Sequence, residues 1–190
     1  MSRKSAGLGE TDMSHLIVEI KARCDRPDDA RKVLLDLGAD FRGLDHQIDT
    51  YFRVPSGRLK LRQGNIETTL IHYDRPTQAG PKDSLVHLHK PTDADSLRQV
   101  LVAALGILVV VDKSREIYFI ENVKFHIDDV RGLGRFVEIE AIGDAGDADH
   151  PALLAQCRHY MEVLGIVADD LIECSYSDML LNGRPSSGGK

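Results

Sequence analysis

The segment GRLKLRQG, Gly57 to Gly64, sets Arg58, Lys60 and Arg62 at alternate positions with Leu59 and Leu61 between them. Successive side chains of an extended strand point to opposite faces, so three cations share one face and two leucines the other. The fold must bury the leucines and still give the cations partners. The same pattern recurs along the chain. Glu19, Lys21 and Arg23, then Tyr73 and Arg75, Lys113 and Arg115, and Glu138 and Glu140 are each spaced two apart in strand-like segments. Any one of these strands fits the solvent face of an ordinary sandwich. Segregation by sign is harder to place there, because a solubilising face mixes charges and like charges opposed on paired strands repel. It implies a counter-charge arriving from elsewhere.

A dry interior lined with unpaired ions is excluded, since each costs several kcal/mol. A barrel with an aqueous lumen is allowed: ionic side chains turn inward, and leucines and valines face helices packed outside. A wall basic along most of its length, with carboxylates in one region, suits a ligand bearing several phosphates together with a divalent cation.

The rest of the chain supplies the strands and helices such a barrel needs. Strand periodicity marks HLIVEIKARC, FRGLDHQIDTYFRV, GRLKLRQG, ETTLIHYDR, SLVHLHK, ILVVVDKSREIYFI, VKFHIDDV and RFVEIEAI. Glu121-Asn122 makes a tight turn. Helices are predicted over RPDDARKVLLDLG, DADSLRQVLVAALG and DHPALLAQCRHYMEVLG, each with acidic or proline start signals and a glycine stop, and a short final helix over DDLIECSYSDMLL. The fold class is therefore α+β, as a single domain over residues 14–182. Residues 1–13 and 183–190 have the small, polar composition of mobile ends.

Composition narrows the function classes. A net charge of −6, 5% aromatic residues and no Trp argue against nucleic-acid binding. No apolar run reaches membrane-spanning length and the start lacks a signal-peptide centre, so a cytoplasmic protein is expected. Cys24, Cys157 and Cys174 are too scattered for a disulfide framework or zinc site.

Seven segments in order, VEIKAR (18–23), QIDTYF (47–52), GRLKLRQ (57–63), IHYDRP (71–76), KSREIYF (113–119), FHIDDVRGLGRFVEIE (125–140) and SYSDML (175–180), resemble the CYTH superfamily of triphosphate tunnel metalloenzymes, in its class IV adenylate cyclase-like branch. The resemblance spans residues 16–181. It implies an eight-stranded antiparallel β-barrel with helices outside, holding a nucleoside or other organic triphosphate in its lumen with Mg²⁺ or Mn²⁺. It also implies that Glu19, Asp128, Glu138 and Glu140 hold metal, and that Lys21, Arg23, Arg58, Lys60, Arg62, Arg75, Lys113 and Arg115 bind substrate. Glu19, Lys21 and Glu140 are the candidate catalytic residues. The implied activity is conversion of ATP to cyclic AMP; the alternatives are hydrolysis of thiamine triphosphate, inorganic triphosphate or nucleoside triphosphates, and triphosphate binding without catalysis. Ile17 stands where the family signature has its first glutamate, which removes one carboxylate. A homodimer is common among the related cyclases.

Residue chemistry tempers the list. Glu138 and Glu140 share a strand face and offer hard oxygen ligands, but a solvated acidic pair has the same spacing. Asp128 and Asp129 face opposite ways, and only the resemblance selects Asp128. His72, His87, His89 and His126 are read as surface or hydrogen-bonded histidines rather than ligands. The RGLG turn, Arg131 to Gly134, joins two strands and is read as a plain hairpin connection. CSYSD lacks a positioned His and acid for serine catalysis, and is read as helix packing with Tyr176 within reach of the lumen.

Overall fold

Alternating strands with one ionic and one apolar face close on themselves here. The computed structural model describes residues 15–74, 82–144 and 149–183. Within them run β1 (His15–Arg23), β2 (Asp40–Phe52), β3 (Arg58–Gly64), β4 (Thr69–Asp74), β5 (Lys82–His89), β6 (Ile107–Ile120), β7 (Val123–Val130) and β8 (Gly134–Asp144). They form a closed barrel in the order β1-β5-β4-β3-β2-β6-β7-β8, every neighbouring pair antiparallel. β1 closes it, pairing with β5 along one edge and β8 along the other.

The outward apolar faces are covered by helices. α1 (Pro27–Asp36) and α3 (His150–Val163) lie against β1, β7 and β8. There Val18, Ile20, Phe125, Ile139, Leu34, Leu153 and Cys157 belong to one buried cluster. Burying each large aliphatic or aromatic side chain contributes roughly 1.5–3 kcal/mol, so this exterior seam is the main apolar core. Tyr160 meets Phe125 edge-on at 4.8 Å, and Arg31 of α1 is ion-paired to Glu116 of β6. α2 (Ala94–Leu105) rests on β2 and β3 after its N-cap Asp93, whose side chain accepts from the Ser96 amide.

The last helix differs from expectation. The stretch read as DDLIECSYSDMLL forms a 3₁₀ turn at Ala168–Asp170, an extended segment bridged to Ala22, and α4 only over Tyr176–Asn182. The extended part is held by the Ile172 amide donating to the Lys21 carbonyl, and Ser175 then caps α4 in a reciprocal box with Asp178. Backbone pairing to β1 and a serine N-cap both delay the helix start. α4 thereby brings Tyr176 over one end of the barrel, where it clusters with Tyr51, Val109, Val111, Val130 and Phe136.

At Glu121-Asn122 the chain makes a two-residue connection with Glu121 at φ 51°, the one non-glycine left-handed position among the described residues. No helix among the described residues is long and apolar enough to cross a membrane. Residues 1–13, Arg75 and most of the tail from 183 onward lie outside the described residues.

Candidate active site in the barrel lumen

Strand alternation puts the ionic faces of β1, β2, β3, β6, β7 and β8 inside. Asp49, Lys113, Arg115, Asp128 and Glu138 are nearly inaccessible to water, and Lys21, Glu19 and Arg62 are buried. The counter-charge implied by the sign-segregated strands is intramolecular. Asp49 of β2 receives Lys60 at 3.0 Å, Arg62 at 2.9 and 3.1 Å, and Lys113 at 3.1 Å. Burial by itself raises the Asp49 pKa, but Arg62, Lys113 and Lys60 together more than reverse that and hold it well below the usual carboxylate range.

A second node centres on Arg115, whose guanidinium donates through Nε to Asp128 at 2.6 Å and through Nη2 to both Asp128 and Glu138. Register explains it: Arg115 lies opposite Asp128, which neighbours β8, and Glu138 lies opposite Lys21 across β1. Lys21 Nζ is 2.9 Å from Glu138 and 4.0 Å from the Tyr176 ring centre. Tyr176 donates its hydroxyl proton to Asp128 at 2.8 Å. Burial would raise both acids, yet Arg115 leads in keeping Asp128 low, and Arg115 with Lys21 keeps Glu138 well below normal.

These depressed carboxylates set an acid limit. Their folded pKa values lie below the unfolded values of about 4, so the stability they contribute is complete above that range and is lost as pH falls through the folded values. The expected outcome is a melting temperature that drops steeply below about pH 4, while thermal scans across pH 6–8 show no drop attributable to these acids. A flat profile down to pH 3 would contradict the pairing.

At the other end the β3–β4 loop bends over the lumen. Asp45 accepts from the Ile66 and Glu67 amides at 2.8 and 3.0 Å. Gly64 allows this approach, because a Cβ there would sit 2.7 Å from both Asp45 carboxylate oxygens. Glu67 then pairs with Lys124 and accepts from Arg62 at 3.1 Å. Beside it opens a cavity of about 480 Å³, within the usual range for small-molecule sites. Its charged lining includes Glu19, Lys60, Arg62, Lys90, Lys124 and Glu140; its apolar lining is Ile71, Tyr73, Val86 and Leu88 of β4 and β5, with Ile17 and Ile142 beside Glu19 and Glu140 on β1 and β8. The cavity therefore mixes cations, carboxylates and an aliphatic surface from β4 and β5, rather than being basic along most of its wall. It is also filled by ion pairs and rings toward α4.

Of the residues chosen from sequence, Glu19, Lys21, Lys60, Arg62, Lys113, Arg115, Asp128, Glu138 and Glu140 are brought together in the lumen. Arg58 lies on the same face of β3 but at the α4 end, donating to Ser175 and to Asp178 at 2.9 Å. Arg23 is exposed, with its guanidinium 5.4 Å from the Phe136 ring centre. Asp45, Gln47, Asp49 and Glu67 were not singled out from sequence; Asp45 and Asp49 alternate in LDHQIDTYF, which was the available signal. His126, read as a surface or hydrogen-bonded histidine, is buried in the lumen with Nδ1 3.2 Å from Glu138 and 3.6 Å from Glu140. Burial and Arg115 push its pKa below the ordinary histidine value, so its ring is neutral at pH 7.

Lys113 titrates unusually. Burial and neighbouring Arg115, against the pull of Asp49, push it down to about 7. A polyanion entering the lumen restores the proton, because added negative charge favours the ammonium form. Binding of tripolyphosphate at pH 8.5 is therefore expected to take up a proton. Titration calorimetry in buffers of different ionisation enthalpy measures this, and Lys113→Met should remove the buffer dependence. Identical heats in all buffers for the unaltered protein would refute the assignment.

Comparison with known proteins agrees with this geometry. A Methanocaldococcus jannaschii protein named "Putative adenylate cyclase" is 31% identical over 180 residues, covering 85% of this chain and 97% of that one. A Pyrococcus horikoshii structure superposes with a TM-score of 0.73 at 22% identity, covering 85% of this chain and 98% of its own. An adenylyl cyclase-like protein of Hippeastrum, described as having a dominant triphosphatase activity, superposes with a TM-score of 0.63 at 15% identity, covering 90% and 98%. The CYTH domain model matches residues 15–175. With the barrel, its inward ions and a match over most of the sequence in agreement, the chain belongs to the CYTH domain family.

Proposed function

We propose that this protein is a metal-dependent enzyme acting on an organic triphosphate in the mouth of its barrel, with ATP converted to cyclic AMP and pyrophosphate as its reaction. The observation that carries the reading is convergence. Lys60, Arg62 and Lys113, from two strands, focus on one carboxylate beside a cavity whose wall also holds Glu19 and Glu140. Three cations so placed give charge-assisted hydrogen bonds of about 1.5–3 kcal/mol each to phosphate oxygens, which fixes a flexible chain of phosphates in one orientation. The apolar wall of Ile71, Tyr73, Val86 and Leu88 offers a surface for a base or other organic group. Inorganic triphosphate has nothing to place there.

Glu19 and Glu140 are paired across β1 and β8. Lys21 Nζ stands 3.9 Å from Glu19, and both carboxylates line the cavity as hard oxygen donors, so this donor set fits Mg²⁺ or Mn²⁺. Glu19, Glu138 and Glu140 would hold the ion, with Asp128 fixing Arg115 behind them. When bound, it supplies positive charge to phosphate oxygens. The remaining work belongs to the chain: Lys60, Arg62, Lys113 and Lys124 hold phosphates, and Lys21 holds Glu138 in place. In the cyclase reaction the ribose 3′-oxygen bonds to the α-phosphorus and loses its proton, the bond to the bridging oxygen breaks, and pyrophosphate carries away the electron pair.

Hydrolysis of a nucleoside or thiamine triphosphate is the second reading, supported by the family's compatibility with both activities and by the same cations. Binding without catalysis is the third, supported by Ile17 lining the cavity where the family signature carries a carboxylate. Incubation with ATP and Mn²⁺ separates them. Cyclic AMP with equimolar pyrophosphate is expected; phosphate release without cyclic AMP overturns the cyclase assignment. Calorimetric binding with no turnover across a panel of triphosphates would leave only the third.

A further inference from the structure

The lumen histidine is unexplained by phosphate binding. His126 lies directly opposite Glu138 in the β7–β8 register, and Glu140 is two residues further along the same face. Ligand atoms from His126, Glu138 and Glu140 all lie within 4.8 Å of one another. The Nδ1 separations from the two carboxylates are 3.2 and 3.6 Å. Atoms bound about 2.1 Å from one cation at right or tetrahedral angles are separated by about 3.0–3.4 Å, so the cluster needs little movement to enclose an ion.

Charge points the same way. Glu138 already has Lys21 and Arg115, whereas no lysine or arginine pairs with Glu140 among the described residues, and its carboxylate faces the His126 ring. Lys124, opposite Glu140 in register, turns to Glu67 instead. The ring of His126 is 1% exposed, and its Nε2 has no hydrogen-bond partner. The nitrogen that faces Glu138 and Glu140 is Nδ1, and two carboxylates converging on one neutral imidazole nitrogen, one of them without a lysine or arginine partner among the described residues, make a donor set for a cation.

We propose that His126 is a nitrogen ligand of a divalent site completed by Glu138 and Glu140, and that this nitrogen selects a first-row transition cation such as Mn²⁺ over Mg²⁺. The inference rests on the metal-dependent reading above and adds the ligand that sets the metal. Mg²⁺ takes near-ideal octahedral oxygen coordination and dehydrates reluctantly, whereas imidazole favours transition cations. Glu140 lines the mouth cavity, so an ion bound here has an entry path and meets the phosphates from that side.

The test uses the full chain, stripped of metal and titrated with MnCl₂ without any triphosphate. Bound Mn²⁺ is counted by electron paramagnetic resonance, and its spin-echo modulation is read for a directly coordinated ¹⁴N. The unaltered protein should show that coupling. His126→Gln should lose it and bind Mn²⁺ at least about tenfold more weakly, with Mg²⁺ affinity unchanged. Bound Mn²⁺ without ¹⁴N coupling in the unaltered protein overturns the inference, and that spectrum decides whether or not the variant folds. The coupling persisting in His126→Gln also overturns it. Either result leaves the triphosphate reading standing; turnover that continues in excess chelator would defeat that reading instead.

Discussion

Asp49→Ala is expected to lower the free energy of unfolding by about 3–5 kcal/mol, the cost of stranding buried charge when one partner is removed. For a chain of this size that corresponds to roughly 10–15 °C in melting temperature. The reason is geometric. Lys60, Arg62 and Lys113 all direct nitrogen atoms at one carboxylate that is 1% exposed, and no other acid among the described residues pairs with Lys60 or Lys113. Arg62 alone keeps a second partner, Glu67. Removing Asp49 leaves cations that repel one another in a poorly hydrated space. The same vacancy is open to an external anion. Tripolyphosphate should therefore raise the melting temperature of the variant by more than it raises that of the unaltered protein, since ligand at a hundred times its dissociation constant contributes about 2.7 kcal/mol. Thermal scans with and without the anion measure both effects. An unchanged melting temperature would show that Asp49 does not organise the cations.

Glu140→Ala should do the opposite: lose activity and keep the fold. Turnover of the triphosphate is expected to fall at least about a hundredfold, with a melting temperature close to that of the parent. Glu140 is only partly buried, and its contact is with the neutral imidazole of His126 at 3.6 Å, so little native binding energy is lost. Its removal also relieves the opposition to Glu19 across β1 and β8. Glu138→Ala is the instructive contrast, because it strips Lys21 and Arg115 of a shared partner and should cost stability as well as rate. Equal activity in Glu140→Ala and parent would remove Glu140 from the chemistry.

Much of this arrangement was legible in the chain. Alternation in GRLKLRQG and FVEIEA reports two faces without ambiguity, and the sign segregation showed that the ionic faces needed partners. Alternation does not say which face is inward when both are covered, as in β1, where Val18 and Ile20 meet helices while Glu19 and Lys21 meet the lumen. The apolar wall stayed hidden for the same reason: SLVHLHK offers Val86 and Leu88 or His87 and His89 equally, and only the closure of β5 onto β1 and β4 turns the aliphatic pair inward. Asp49 was overlooked because a single acid in a strand carries no local sign of the three cations it will meet, which come from 11, 13 and 64 residues away. His126 is similar, since its partners belong to another strand. The late start of α4 depended on backbone pairing between Ile172 and Lys21, which no residue pattern announces.

Tyr176, Phe136 and the α4 segment stop up one end of the barrel, and Arg58 clasps Asp178 to hold them there. Among the described residues the lumen cavity then opens at the other end, beside Glu67 and Lys124. Whatever part of a substrate travels furthest in must travel back past the place where the rest was seated, so the two products cannot depart independently. In the proposed reaction the inner fragment is pyrophosphate, gripped by lysine and arginine, and it leaves second. Pyrophosphate, rather than the cyclic nucleotide, would then compete directly with incoming ATP.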